Sequence, residues 1–266
     1  MSRPDQSITF LRSFGYSVMR TPKPGTRPLL VYHRSGKDLD RLGDITDLLQ
    51  PGSVALPQIS SDATPGITID GRESSTVNAA IGVNILGNIV RAMGGSDLGL
   101  AAHYDKARTV VFSYADVLED RIERLQLEQF VHTAKIRAEN SPGLVDKLID
   151  GELYVISATL KSKKFIVRTE DDRGAKVDLD VPVIQQAVGG SVKVGTVAGL
   201  NSSVIYEGSV PVVFGVQAVQ LVFSEDGRFL TTEQLDPGAA GVRGMAEQQG
   251  QPRFLSAPGA FVRFNE

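Results

Sequence analysis

The sequence predicts an α+β fold, in which a twisted, mostly antiparallel central sheet is surrounded by short packed helices. Two observations support this prediction. Short apolar segments with strand-like alternation recur along the 266 residues, and helical segments bounded by proline and glycine lie between them. At this length the chain can build one large domain or two small ones, with an ample core in either case.

A clear strand signal begins at Leu153. In an extended chain Leu153 and Val155 point to one face, whereas Tyr154 and Ile156 point to the other. The charged residues 161–164 interrupt this pattern, and we expect them to form a hairpin. Predicted strands occupy residues 29–33, 98–104, 109–114, 153–160, 165–169, 192–198, 204–206 and 210–223.

Capping residues predict the short helices. A side chain that accepts a hydrogen bond at the start, and a glycine at the end, are typical of helix boundaries. A further amphipathic helix is expected at residues 6–14. The capped helices run from Asp44 to Leu49, from Ser141 to Gly151 and from Pro182 to Gly189.

Residues 77–93 fit two structures. Ile81 and Ile85 are spaced as on one face of a helix, yet Val77, Ile81, Val83 and Ile85 also alternate as in a strand. Two glycines and two asparagines inside the segment weaken the helix. We expect a helix packed on the sheet in water, with a lowered barrier to leaving that state.

Composition excludes several classes of protein. The formal net charge is −3, so the chain lacks the bulk positive charge of a nucleic-acid binder. Residues 1–41 carry eight lysines and arginines against three aspartates, which suits either an anionic lipid surface or plain solvent.

The chain has no cysteine, which excludes disulfides, thiolate metal sites and a cysteine nucleophile. It also shows no secretory signal and no apolar run long enough for a transmembrane helix. We therefore expect a cytoplasmic protein that enters a membrane, if at all, as β-strands.

Residue patterns for catalysis or metal binding are lacking. His33, His103 and His132 lie far apart without the spacing of metal ligands. No glycine-flanked serine elbow or phosphate-binding loop is found. We expect neither an enzyme nor a cofactor; a hydrolase would have to gather serine, histidine and aspartate from distant segments.

The composition changes after Leu230. Residues 236–250 are small and polar with four glycines, which is typical of a flexible, protease-accessible tether. Residues 251–266 are apolar again and form either a structural strap or an autoinhibitory plug. The apolar side chains of this tail are Phe254, Leu255, Phe261, Val262 and Phe264.

Three segments resemble the pore-forming domain of gasdermins, and the short tail is similar to the bacterial branch of that family. They are the Glu-Leu-Tyr-Val opening at Glu152 with the charged residues after it, the close at residues 208–223, and residues 29–49. The cysteine that becomes lipid-modified near the N-terminus of many bacterial gasdermins has no counterpart, because Ser2, Arg3 and Pro4 occupy that region.

The resemblance implies an autoinhibited pore-forming effector that kills bacterial cells in anti-phage defence. A caspase-like or trypsin-like peptidase would remove the tail, and the monomer would then meet membrane lipids and form a homo-oligomeric pore in the inner membrane. Candidate membrane-inserting residues are Val77, Ile81, Val83, Ile85, Tyr154, Ile156, Phe165, Val167, Val192 and Val194.

The resemblance also implies three parts: a pore-forming domain at residues 1–235, a linker at 236–250 and an inhibitory peptide at 251–266. Arg243–Gly244 is the candidate cleavage site, because Arg243 is the linker's one basic residue; Leu235, Val242 and Met245 remain alternatives. The rival hypothesis is a soluble lipid- or protein-binding α+β module whose tail is structural.

Overall fold

A computed structural model describes residues 16–23, 25–35, 38–63, 77–137, 143, 153–171, 173–197, 199–223 and 229–234. The predicted helix at 6–14 and nearly all of the one at 141–151 lie outside these residues. The candidate cleavage site and the whole tail lie outside them as well.

Strands dominate the described chain. They are β1 (Ser17–Lys23), β2 (Leu30–Ser35), β3 (Asp38–Asp44), β4 (Leu49–Gln50), β5 (Ser60–Ala63), β6 (Val77–Asn78), β7 (Thr109–Ala115), β8 (Leu118–Arg121), β9 (Lys135–Ile136), β10 (Leu153–Glu170), β11 (Val192–Val197), β12 (Leu200–Phe223) and β13 (Phe229–Gln234). The helices are α1 (Ile45–Leu48), α2 (Ala79–Ala92), α3 (Arg124–Thr133), α4 (Val181–Val188) and a 3-10 helix (Leu100–Tyr104).

Two long strands, β10 and β12, form an antiparallel central pair of 18 and 24 residues. Along its other edge β10 carries β2, β8 and β7 in three successive stretches. The other edge of β12 carries β13, β1 and β11. Each flanking strand therefore depends on the central pair for its hydrogen bonds, which confirms the predicted antiparallel sheet.

Three apolar clusters pack along the central pair. The first joins Leu153 and Val155 of β10 to α3, with Phe130 fully buried. The second joins Phe165 and Val167 of β10 to α2 and α4. The third contains Leu160 and lies around Phe214 of β12. Because long strands pass from one cluster to the next, the sheet is the framework that holds the three together.

The predicted hairpin at residues 161–164 is wrong, because β10 runs through it without a turn. Two aspartates, one in β8 and one in the loop before it, pair with these lysines: Lys161 Nζ donates to Asp120 Oδ1 at 2.6 Å, and Lys164 Nζ donates to Asp116 Oδ2 at 3.0 Å. The Ser162 hydroxyl accepts from the Lys164 amide at 2.9 Å. The register between β10 and β12 shifts at this segment, so the strand accommodates it without a turn.

The prediction of a strand at residues 98–104 is also wrong. Gly99 adopts a left-handed conformation with φ of 76°, and the 3-10 helix begins immediately after it. Leu100 and Tyr104 are both buried by this short helix. A helical turn thus places two apolar side chains against the sheet where alternation suggested an extended chain.

The predicted helix ends are confirmed where the structure describes them. The Asp44 side chain accepts from the Thr46 amide at 3.0 Å at the start of α1. Asp180 caps α4, which carries Pro182 in its first turn and ends at Gly189. The ambiguous segment forms α2 after the two residues of β6. The described residues contain no helix that is both long enough and apolar enough to span a bilayer.

Gly208 of β12 tests the contact between the sheet and α2. A Cβ at Gly208 would lie 2.8 Å from Met93 Cβ, whereas one at Gly195 would meet nothing within 4 Å. We expect Gly208→Ala to lower the free energy of unfolding by about 1–3 kcal/mol, because the packed helix has to shift. Urea denaturation measures the change. The matched control Gly195→Ala should change it by less than about 0.5 kcal/mol, and equal effects would contradict the tight contact.

Candidate functional site

One face of the sheet lies beneath three helical segments, which we call the helical cover: α2, the 3-10 helix and α4. The cover packs on β7, β10, β11 and β12 through a cluster of buried apolar residues. Five of the ten residues predicted to enter a membrane lie in or against this cluster, so the region is the candidate functional site.

The buried face of α2 consists of Leu86, Ile89 and Val90, followed by Met93 just after the helix. All four are at most 2% exposed. Their spacing of three and four residues is that of one helix face. The same stretch contains Gly82, Asn84, Gly87 and Asn88, so contact with the sheet, and not intrinsic propensity, holds this helix.

Two tyrosines join the cover to the sheet inside the cluster. The hydroxyls of Tyr104, in the 3-10 helix, and Tyr206, in β12, form a hydrogen bond with each other. The Tyr206 ring also stacks on Phe165 with centroids 5.0 Å apart. Burial raises the pKa of both tyrosines well above the usual value, so both remain neutral hydrogen-bonding groups.

The third contact of the cover is a side-chain amide. Gln185 of α4 donates to the carbonyl oxygens of Gly189 and Val192 at 2.9 and 3.0 Å. The side-chain oxygen of Gln185, Oε1, accepts from the Val194 amide at 2.7 Å. One side chain therefore holds the end of α4 and the start of β11 together.

Five of the predicted membrane-inserting residues come together in this region. Phe165, Val167 and Val192 are buried in the cluster, and Val83 and Val194 pack against it while partly exposed. Val83 of α2 and Phe165 of β10 are 82 residues apart in sequence, and only the fold brings them to one cluster.

The remaining predicted residues are distributed differently. Tyr154 and Ile156 are buried in the first part of β10, where Tyr154 pairs with Tyr32 of β2. Val77 lies in β6 and pairs with Val110 of β7. Ile81 and Ile85 lie within α2. The candidate residues thus occupy two regions of the sheet and not a single patch.

Sequence reasoning missed Tyr104, Tyr206 and Gln185. Nothing in the spacing of the two tyrosines, which are 102 residues apart, indicates that they meet. Gln185 looks like an ordinary polar position of an amphipathic helix. Only the closeness of Gly189, which lies one turn later, hints that its amide has backbone partners nearby.

A polar clamp at the other end of the sheet holds β13 to α3. The Thr232 hydroxyl accepts from Arg124 Nε at 2.7 Å and donates to Glu128. Arg124 also bonds the Thr232 carbonyl oxygen and lies 3.1 Å from Glu128 Oε1. Hydrogen bonding to Thr232 lowers the pKa of Glu128, and Arg124 lowers it further. The clamp secures the last described strand before the predicted linker.

No group of three potential metal ligands is found among the residues that the structure describes. The contacts described at the candidate site are apolar packing and side-chain hydrogen bonds. The expectation that the chain is not an enzyme stays a prediction.

The tyrosine pair is tested by removing one hydroxyl. Tyr206→Phe leaves the buried Tyr104 hydroxyl without its partner, which should lower the free energy of unfolding by about 1–3 kcal/mol. In the double variant Tyr104→Phe/Tyr206→Phe the loss should be smaller than the sum of the two single losses. Urea denaturation measures all three. Tyr114→Phe serves as a control, since stacking on Phe214 at 3.8 Å holds that ring; strictly additive losses would rule out coupling.

The clamp predicts a pH-dependent effect of Thr232→Val. Because the folded pKa of Glu128 is lowered, its stabilising contribution is present above the ordinary glutamate pKa and is lost as the pH falls through the folded value. We expect the variant to lose about 1–2 kcal/mol at neutral pH, and less in acid. Urea denaturation of the variant and of wild type, from neutral pH down to acid, measures the difference in the free energy of unfolding. Gly195→Ala, at an open position without a titratable side chain, should show no such trend.

Comparison with known proteins agrees with this architecture. The Bacterial Gasdermin Family matches residues 19–228. A gasdermin bGSDM from a Desulfuromonadales bacterium is 40% identical over 262 residues and covers 97% of both chains. One from Lysobacter enzymogenes is 33% identical, covering 93% of this chain and 92% of the relative.

A solved bacterial gasdermin from Bradyrhizobium tropiciagri has the same fold. It superposes with a TM-score of 0.60 at 13% sequence identity, covering 87% of this chain and 92% of the other. The antiparallel sheet with short helices predicted from the sequence is therefore a gasdermin architecture. Sequence and fold together show that the chain belongs to the bacterial gasdermin family.

Proposed function

We propose that this protein is an autoinhibited pore-forming effector. Proteolytic removal of the C-terminal peptide releases residues 1–235 to bind membrane lipids, assemble into a homo-oligomer and open a pore. The inactive monomer resides in the cytoplasm and the active form in the inner membrane. Death of the infected cell then limits phage spread.

The observation that carries this proposal is the helical cover itself. Beneath the cover, β7, β10, β11 and β12 are already extended and paired in one antiparallel sheet. Converting the cover into strand would lengthen these strands without breaking the central pair. Regions 77–114 and 153–198 would each supply a hairpin, since a tilted membrane strand needs only about nine to eleven residues.

Within the helical cover, the sequence of α2 gives that helix little intrinsic stability. Relative to alanine, the two glycines and two asparagines of α2 cost that helix roughly 3 kcal/mol in total. The packing of Leu86, Ile89 and Val90 on the sheet offsets this cost. A lipid bilayer offers the same apolar side chains an alternative environment, so the balance depends on what surrounds the protein.

Membrane insertion requires more than one copy. An open sheet edge in hydrocarbon leaves backbone groups without partners at several kcal/mol each, so spanning strands have to close into a ring. Lys161 and Lys164, which pair with Asp120 and Asp116 in the described state, would face water or the rim of that ring.

The tail supplies the lock. Burying side chains of this size contributes roughly 1.5–3 kcal/mol each. Several of Phe254, Leu255, Phe261, Val262 and Phe264 together would therefore contribute on the order of 5–10 kcal/mol, less the cost of ordering the segment. While the tether is intact, the high effective concentration keeps the tail docked. A caspase-like or trypsin-like peptidase cutting at Arg243–Gly244 would remove that advantage.

Cleavage beside dye-loaded anionic liposomes tests the proposal. A specific protease site is placed within residues 236–250, and dye release is recorded before and after cutting. We expect release only after cutting, because the lock then loses its tether. Complete cleavage with the tail still bound and no release would favour a soluble binding module with a structural strap. If the tail leaves and liposomes of several lipid compositions stay sealed, the pore hypothesis is wrong.

Arg243→Ala locates the natural cut. With the cognate peptidase, this variant should resist cleavage and release no dye, because an arginine-specific enzyme loses its recognition residue. Arg253→Ala is the matched control and should be cut normally. Unchanged cleavage of Arg243→Ala would move the site to Leu235, Val242 or Met245.

A further inference from the structure

Among the strands that the structure describes, β11 pairs with β12 alone and so lies at a lateral edge of the sheet. One of its edges pairs with β12, with Val192 opposite Gly208 and Val194 opposite Tyr206. In an antiparallel ladder the backbone groups of alternate residues point to opposite sides. The Val194 amide and the Val192 carbonyl bond to Gln185, so these groups point away from β12.

The side-chain amide of Gln185 forms hydrogen bonds with these outward groups, as a neighbouring strand would. It donates to the Val192 carbonyl at 3.0 Å and accepts from the Val194 amide at 2.7 Å. One donor and one acceptor in a planar amide are what a peptide group of an added strand offers. Natural sheets commonly protect exposed edges because such edges pair readily with other chains.

Helix α4 holds Gln185 in this position. Ile184 and Val188 are fully buried on its inner side, whereas Gln186, next along the chain, is exposed. The helix has only eight residues, so its own hydrogen bonds stabilise it little. The amide contacts of Gln185 therefore contribute to the attachment of α4 as well as to the protection of β11.

The opposite lateral edge offers a matching surface on another copy of the chain. Strand β7 pairs with β10 on one side, and on its other side the described strands cover only Thr109 and Val110, through β6. Because β11 and β10 are both antiparallel to β12, and β7 is antiparallel to β10, β11 and β7 run in opposite directions. Side-by-side copies in one orientation would thus bring antiparallel edges together.

We propose that Gln185 is an edge plug: its side chain blocks the outer edge of β11, and its release lets that edge accept β7 of a second copy. The plug rests on the proposed function, because it controls the assembly step of that function. It adds a barrier distinct from the tail, since it acts on a different segment. Removing the tail alone leaves the plug in place, and binding to the membrane has to displace α4.

Paired methionine substitutions test the plug. Gln185→Met keeps the length of the side chain but removes the amide, and Gln186→Met makes the same change at the exposed neighbour. After the tail is cut beside anionic liposomes, Gln185→Met should release dye at least about fivefold faster than wild type, because two or three hydrogen bonds are lost. Gln186→Met should match wild type. Equal rates for the two variants would overturn the proposal.

Contact between the two edges is measured directly with cysteines. The chain has none of its own, so Ala115→Cys on β7 and Thr196→Cys on β11 introduce one on each edge. Two strands separate these edges within one copy, a distance of about 14 Å that no disulfide spans. Covalent dimers therefore report the meeting of two copies, and Gln185→Met should raise their yield while Gln186→Met does not.

Cross-linking also separates failure of the plug from failure of the pore. If no variant releases dye but Gln185→Met alone forms dimers, the plug is supported and the proposed function is wrong. If dye is released and neither the rates nor the dimers depend on Gln185, the function stands and the plug is wrong. Should Gln185→Met fail to fold, Gln185→Asn, whose amide is one methylene too short to reach β11, replaces it with the same expected outcomes.

Discussion

The antiparallel pairing of β10 with β12 is the interaction on which the rest of the structure depends. Every strand that flanks the pair, on both sides, takes its hydrogen bonds from one of these two strands. The three apolar clusters also lie along the pair. Because the pair is continuous, a local change in one flank need not disturb the others, and the sheet can persist while its helical cover is rebuilt.

The two ends of the sheet are held by different physical means. At the α3 end, a charged clamp through Arg124, Glu128 and Thr232 reinforces an apolar cluster. At the other end, the helical cover is attached by apolar packing, one tyrosine pair and the amide of Gln185. Transfer to lipid costs apolar side chains the least free energy, whereas charged side chains are stable only in contact with water or a partner. This difference is consistent with the proposed function, in which one end of the sheet stays in water and the other enters the membrane.

Prediction from the sequence succeeded where the structure depends on neighbouring residues, and failed where it depends on a contact with a distant segment. The cap of α1 was predicted because Asp44 bonds to an amide within its own turn, and α4 was predicted because Pro182 and Gly189 mark its two ends. Residues 161–164 looked like a hairpin, since the aspartates that pair with Lys161 and Lys164 lie more than 40 residues away. Helix α3 was missed, because its buried residues Leu127, Phe130 and Val131 are diluted by polar neighbours.

By itself, the sequence determined the fold class, the family resemblance and the dual character of residues 77–93, because these depend on alternation, caps and composition within short windows. The tertiary structure alone decided which apolar residues meet, that Tyr104 and Tyr206 share a buried hydrogen bond, and that Gln185 covers the edge of β11. The physical reason is that packing and edge protection join atoms from distant segments. A local sequence pattern does not indicate which distant segment will pack against it.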